Sequence, residues 1–233
     1  IGAWALMGVR PSAWAQAHRS TNKSPWAGVA YVRGNRLLLG AMCLDLFTVI
    51  LGGVTAILPI FAKDILHVGP FGLGLLRSAP AAGALVVGLS LVRLPVQRRA
   101  GAILLWTVAG YGVCTVVFGV STLFWLSLAM MAALGGFDMV SVVIRQTLVQ
   151  VATPEHMRGR VNAVNAVFVG ASNQIGGFES GALAGLIGAA GSAVVGGVGA
   201  IAVVVAIAWL FPELRHADRL HEPGLEEAAL EPA

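Results

Sequence analysis

Long runs of apolar residues, separated by short polar or charged segments, are the dominant pattern along this chain. A helix needs about 20 such residues to cross the hydrocarbon core of a bilayer. Six runs reach this length, and they predict membrane spans over residues 37–62, 71–92, 101–120, 123–149, 161–187 and 190–211. The pattern therefore predicts an all-α membrane protein with six transmembrane helices.

The predicted spans divide the chain into three parts. Residues 1–36 are interpreted as the end of a preceding helix followed by a cytoplasmic linker, because apolar residues give way there to serine, asparagine and proline. Residues 37–211 form the transmembrane bundle, and residues 212–233 form a cytoplasmic tail rich in glutamate. Because Ile1 to Val9 look like the last turns of an apolar helix, we expect the sequence to begin inside a longer protein.

Composition supports a membrane protein over a soluble one. Hydrophobic residues make up 57% of the chain and charged residues only 11%, and the mean hydropathy is +0.82. A large soluble all-α core is the alternative, but uninterrupted apolar runs such as Val194 to Phe211 are wider than an amphipathic stripe.

Positive charges indicate the orientation in the membrane. With the N-terminal segment inside the cell, the inside segments hold twelve lysines and arginines, whereas the outside connections hold only Lys63. Positively charged loops resist translocation, so both termini are predicted to be cytoplasmic. The net charge of +4 is spread over these connections and does not indicate nucleic-acid binding.

The sequence indicates no enzyme. All five histidines lie outside the predicted spans, and neither cysteine belongs to a CxxC pair. Nucleophile-elbow and phosphate-loop motifs are missing from the sequence. We therefore predict no catalytic residue, no metal site and no cofactor.

Ionisable residues inside the spans are the main candidates for function, because a charge at membrane depth is costly unless it faces a partner or water. Four residues qualify as transport-cavity or proton-coupling candidates: Asp45, Asp138, Arg145 and Glu179. For Asp138 and Arg145, seven residues apart on one helix, a structural ion pair is an equal alternative. For Glu179, far from either loop, we favour gain and loss of a proton during turnover.

The fifth span is the most polar. It supplies four candidates for substrate contact, which are Asn165, Ser172, Asn173 and Gln174. The alternative is helix packing through small residues and amide hydrogen bonds, and that alternative also explains the pair Gly181 and Gly185.

Three stretches carry a resemblance to a known family: VRGNRLLLGAMCLDLF from Val32, LPIFAKDILHVGPFGLGLLRSAPAAGAL from Leu58, and DMVSVVIRQTLVQVATPEHMRGRVNAVNAVFVGASNQIGGFESG from Asp138. They resemble the C-terminal half of bacterial major facilitator superfamily exporters, most of all the enterobactin-exporter-like subgroup. The resemblance covers roughly residues 26–220, and RQT…TPEHMRGRVNAV carries most of its specificity.

This resemblance implies a twelve-helix fold of which the chain supplies helices seven to twelve. It implies a bacterial inner-membrane exporter of small organic molecules such as siderophores or drugs, driven by proton exchange and completed by a missing N-terminal six-helix half. The loop RLPVQRRAG occupies the place of the superfamily's cytoplasmic signature but lacks its acidic residue. Two cytoplasmic loops supply gating candidates, namely Arg93, Arg98, Arg99, Arg158 and Arg160.

Two other kinds of membrane protein are alternatives. The membrane domain of an ATP-driven exporter would require long cytoplasmic helical extensions, whereas the predicted loops have about ten residues. A channel would require a filter-like re-entrant loop or a ring of subunits, and the sequence contains no such loop.

Overall fold

A computed structural model describes residues 26–93 and 99–216, and these residues are almost entirely helical. The helices are α1 (Trp26–Gly34), α2 (Arg36–Leu51), α3 (Pro70–Arg93), α4 (Ala100–Val120), α5 (Phe124–Val151), α6 (Glu155–Leu210) and α7 (Pro212–His216). Short helical turns at Val54–Ala56, Leu58–Ile60 and Phe61–Ile65 connect α2 to α3. The predicted all-α membrane fold is confirmed, and helix α1 lies within what was predicted to be a linker.

Five helical segments in the described part of the chain are long and apolar enough to cross a membrane. Helices α3, α4 and α5 match the second, third and fourth predicted spans within two residues. Helix α6 contains both the fifth and the sixth, because its 56 residues are interrupted at Gly188, which has φ 81° and ψ 161°.

Gly188 divides α6 into a first arm, residues 155–187, and a second arm, residues 189–210. A straight helix of 56 residues would be about 84 Å long, far more than the ~30 Å hydrocarbon core. The Ser192 hydroxyl donates to the Ser180 carbonyl at 2.9 Å, so the chain turns back on itself and the arms lie side by side. The two arms therefore correspond to two separate predicted spans.

Helix α2 begins at a clear capping signal and ends earlier than the sequence predicts. The side chain of Asn35 accepts hydrogen bonds from the amides of Leu37 and Leu38 at 3.1 and 3.2 Å, which satisfies two free N–H groups of the first turn. The regular helix stops at Leu51. A membrane-spanning segment over Arg36–Ile65 agrees with the predicted span over 37–62. The sequence does not predict that the regular helix breaks into short turns after the glycine pair 52–53.

Glycines bring particular helices into close contact. A Cβ on Gly176 of α6 would meet the backbone carbonyls of Val49 and Ile50 of α2, so the two helices cross with main chain against main chain. The predicted packing pair behaves differently, because a Cβ on Gly181 or Gly185 would meet no atom within 4 Å. Within the described residues, no other helix packs closely against this glycine pair.

The outer surface of the bundle is apolar. Trp106, Trp125 and Trp209 are 77, 75 and 83% exposed, and many valines and leucines of the same helices are exposed as well. A soluble protein rarely exposes so much contiguous apolar surface, whereas a bilayer solvates it. The chain is therefore a multi-pass membrane protein.

Several polar contacts join the helix ends on one side of the bundle, which we name the basic end. Arg36 at the start of α2 forms an ion pair with Glu213 of α7 at 3.1 Å. The hydroxyl of Tyr31 in α1 donates to the Ala152 carbonyl, just after α5, at 2.6 Å. Burial raises the pKa of Tyr31, although a hydrogen bond with Asn35 opposes the shift, so the phenol stays a neutral donor. These contacts bring the start of α2, the end of α5 and the end of α6 together.

Candidate functional site

An ion pair between two helices forms the centre of the candidate site. Arg145 of α5 pairs with Asp45 of α2, and the whole arginine is only 3% exposed. The suggestion that Asp138 is the partner of Arg145 is therefore wrong. The spacing of seven places Asp138 and Arg145 on one helical face, but the carboxylate that meets the guanidinium comes from a neighbouring helix.

A small cavity lies beside this pair, between α2, α4 and α5. Its volume is about 20 Å³, which is enough for about one water-sized particle. Both Asp45 and Asp138 line it, so the two predicted carboxylates do meet at one place. The other lining residues are Thr48, Val49, Thr107, Val108, Tyr111, Phe137 and Ser141.

The polar residues of the cavity come in pairs with helical spacing. Helix α2 contributes Asp45 and Thr48, α4 contributes Thr107 and Tyr111, and α5 contributes Asp138 and Ser141. Sequence reasoning missed the four hydroxyl residues. The signal was available, because spacings of three and four put each pair on one face of its helix. A single pair of polar residues at this spacing is common in helices, however, so no one pair indicates a cavity.

An apolar groove adjoins the cavity on the other side of the contact between α4 and α5. It lies between α3 and α4 with α5 as its floor, and its volume is about 610 Å³, the size of many small-molecule sites. Thr107 and Phe137 line both the groove and the small cavity, so they form the wall between the two spaces.

The polar stripe predicted on the fifth span is divided in the structure. Asn165 and Ser172 are buried, at 6 and 0% exposed, and the Ser172 hydroxyl donates to the Val169 carbonyl of its own helix. Contact of these two residues with a substrate would therefore require a rearrangement. Asn173 and Gln174 are exposed, although the Asn173 amide donates to the same Val169 carbonyl at 2.8 Å.

Glu179 lies further along the first arm of α6 and is half-buried. The Ser180 hydroxyl donates to its carboxylate at 3.4 Å, and within residues 26–93 and 99–216 it forms no ion pair. Glu179 is thus separate from the cavity that Asp45 and Asp138 line.

The predicted gating arginines have different environments. Arg93 and Arg99 are exposed at the end of α3 and just before α4, whereas Arg98 lies outside the described residues. The Nε atom of Arg158 donates to the carbonyls of Gln150 and Thr153 at 3.2 and 3.1 Å, and so it caps the C-terminal end of α5.

The two loop arginines also interact with neighbours on α6. Arg158 forms an ion pair with Glu155 at 3.7 Å, and Arg160 is half-buried beside the sulfur of Met157. Both arginines therefore have a structural role at the junction of α5 and α6.

Comparison with known proteins agrees with this architecture. A profile of the family described as transmembrane secretion effector matches residues 13–230. The chain is 28% identical over 193 residues to an enterobactin exporter of Citrobacter koseri, a match covering 83% of this chain and 46% of that protein. The enterobactin exporter of Escherichia coli K12 is 26% identical over 194 residues, with the same two coverages.

The chain spans about half the length of the curated relatives it matches. No solved structure matches the chain.

Proposed function

The chain belongs to the transmembrane secretion effector family of the major facilitator superfamily, and we propose that it forms one six-helix half of a secondary active exporter. The exporter would lie in the bacterial inner membrane with both ends of this chain in the cytoplasm. A second six-helix half, corresponding to the N-terminal half of the fold, would complete the substrate path. The coverage of 46% of each relative supports a functional unit about twice as large.

The observation that carries this proposal is the polar surface on the first arm of α6. Asn173 and Gln174 are exposed and Glu179 is half-exposed, although they lie in the middle of an apolar helix. Hydrocarbon would solvate these groups poorly, so they require a protein partner or a water-filled path. A second half placed against this surface would provide both.

The chemistry of these residues suggests how the path would work. Asn173 and Gln174 can each donate and accept hydrogen bonds, which suits hydroxyl and carbonyl groups of a small organic molecule. Glu179 would gain and lose a proton during turnover and so couple export to the proton gradient. The buried Asn165 and Ser172 would reach the substrate only in another conformation. The loop arginines would gate the cytoplasmic side, namely Arg93, Arg98, Arg99, Arg158 and Arg160.

The substrate class follows from the relatives. Both are named as enterobactin exporters, so a siderophore is the first molecule to test, and lipophilic drugs are the second. The apolar groove of about 610 Å³ beside α5 is large enough for part of such a molecule.

The test replaces the proposed proton carrier in the complete transporter. Glu179→Gln keeps the size and the hydrogen bonding of the side chain but cannot release a proton. In inverted membrane vesicles from a strain without its own enterobactin exporter, we expect this variant to lose accumulation of enterobactin driven by a pH gradient. Asp64→Asn, at an exposed carboxylate in the connection between α2 and α3, is the control and should retain it.

Full activity of Glu179→Gln would rule out the proton role. The same vesicles separate a carrier from a channel, because the flux through a carrier saturates with substrate and collapses with the proton gradient.

A further inference from the structure

Six oxygen-bearing side chains surround the small cavity between α2, α4 and α5. They are the carboxylates of Asp45 and Asp138 and the hydroxyls of Thr48, Thr107, Tyr111 and Ser141. Carboxylate and hydroxyl oxygens are hard ligands that suit hard cations such as alkali and alkaline-earth ions. The cavity holds about 20 Å³, which accommodates one small particle without a hydration shell.

The oxygen atoms of two threonine hydroxyls can each bind a further ligand through their lone pairs. The Oγ1 atom of Thr48 donates its proton to the Leu44 carbonyl at 2.6 Å, and that of Thr107 donates to the Leu104 carbonyl at 2.8 Å. Once each proton is used by its own helix, the lone pairs of the oxygen remain available. A cation can use those lone pairs, whereas a further hydrogen-bond acceptor cannot.

Within the described residues, Ser141 adds a hydroxyl without a protein partner to the wall of the cavity. It lines the cavity and is only 6% exposed, and in the described ranges its hydroxyl has no hydrogen-bond partner. Buried polar groups almost always have a partner, supplied by protein, water or an ion. An occupant of the cavity would satisfy this hydroxyl.

The charges around the cavity favour a particular charge on an ion bound there. Arg145 neutralises Asp45, whereas Asp138 forms no ion pair within the described parts of the chain. An ionised Asp138 therefore leaves one negative charge, which a monovalent cation would neutralise. A divalent ion would leave an excess positive charge, and magnesium in particular dehydrates reluctantly. We propose that this cavity binds one sodium ion, held by Asp138, Ser141, Thr48, Thr107 and the shared carboxylate of Asp45.

Sodium in this position would join three helices through one ion. The ion would link α4 to α2 and α5, the two helices that the ion pair already joins. Because Asp138 is exposed, its outer side would give the ion an entry path. The site is distinct from Glu179, so sodium binding here does not depend on the proton role proposed for that residue.

The test measures the thermal stability of the purified full chain in lipid nanodiscs. Sodium chloride is compared with potassium chloride and choline chloride at equal ionic strength. A ligand that binds only the folded state raises the Tm, by about 3–6 °C for a chain of this size when its concentration is tenfold above Kd. We expect a saturable rise with sodium that potassium and choline do not reproduce.

Two variants assign the effect to the cavity. Asp138→Asn removes the unpaired charge, and Ser141→Ala removes one ligand with little change in volume, so both should lose most of the sodium-dependent rise. Ser127→Ala is the matched control, because this serine is also buried on α5 but its hydroxyl donates to Ser121. The rise is measured from the variant's own starting Tm, and we expect it to equal that of the wild type.

The proposal is overturned if the three salts give the same Tm, or if Asp138→Asn and Ser141→Ala both keep the full response. A sodium response in a protein that fails to export would leave this site standing and count against the proposed function alone. Export that persists without any sodium response would remove this site alone.

Discussion

At the scale of single residues, the placement of Arg145 illustrates what governs charges in this bundle. An arginine that is 3% exposed needs an opposite charge close by, because the desolvation of an unpaired charge costs several kcal/mol. The sequence identifies Arg145 and both acids, since charged residues inside the spans are few. It does not identify the partner, because pairing across helices depends on how α2 and α5 are rotated against each other.

Removing one member of the pair should therefore be worse than removing both. We expect Asp45→Asn to leave a buried guanidinium without compensation and to destabilise the chain by about 3–5 kcal/mol. The measurement is the unfolding of the purified chain in nanodiscs, in a choline buffer so that any bound sodium does not contribute.

The double variant Asp45→Asn/Arg145→Met should recover most of this loss, because it leaves no unpaired charge at the buried position. Asp64→Asn changes an exposed aspartate and serves as the control. If the double variant is as unstable as Asp45→Asn, the energetic importance of charge compensation is disproved.

At the scale of elements, the apolar runs predict helices well and breaks poorly. The limits of α3, α4 and α5 follow from the runs themselves, since polar residues end each of them. The break after Leu51 has no such signal, because hydrophobic residues continue on both sides of it and only the glycine pair 52–53 indicates a change. The role of Gly176 is also hidden, because every glycine in a helix looks alike until the neighbouring backbone is known.

Two glycines on the first arm of α6 provide a direct comparison. We expect Gly176→Ala to lower stability by about 1–3 kcal/mol, because its new methyl group would push against the carbonyls of Val49 and Ile50. Gly181→Ala adds the same group where no atom lies within 4 Å, so it should be neutral or slightly stabilising. Thermal unfolding of both variants measures the difference, and equal effects would show that the close crossing of α2 and α6 is not needed.

At the scale of the whole molecule, the distribution of positive charge agrees with the topology of the helices. The helix ends gathered at the basic end carry Arg36, Arg158 and Arg160, whereas the connection between α2 and α3 carries Lys63 on the other side of α2. The sequence predicts this asymmetry from loop charges alone. The proposed substrate path cannot be predicted in the same way, because it would depend on a surface between this chain and the proposed second six-helix half.

The orientation of the bundle in the membrane can be tested by labelling cysteines placed at two glycines, one at each end of the bundle. Gly69 lies in the connection before α3 and Gly159 near the start of α6, and a side chain at either would meet no atom within 4 Å. The positive charges predict that the basic end lies in the cytoplasm, so we expect a cysteine at Gly69 to react with a membrane-impermeant maleimide in intact cells. A cysteine at Gly159 should react only after the cells are permeabilised. Cys43 and Cys114 are replaced by alanine in both variants, and the reverse labelling pattern would show that the bundle is inserted with its basic end outside.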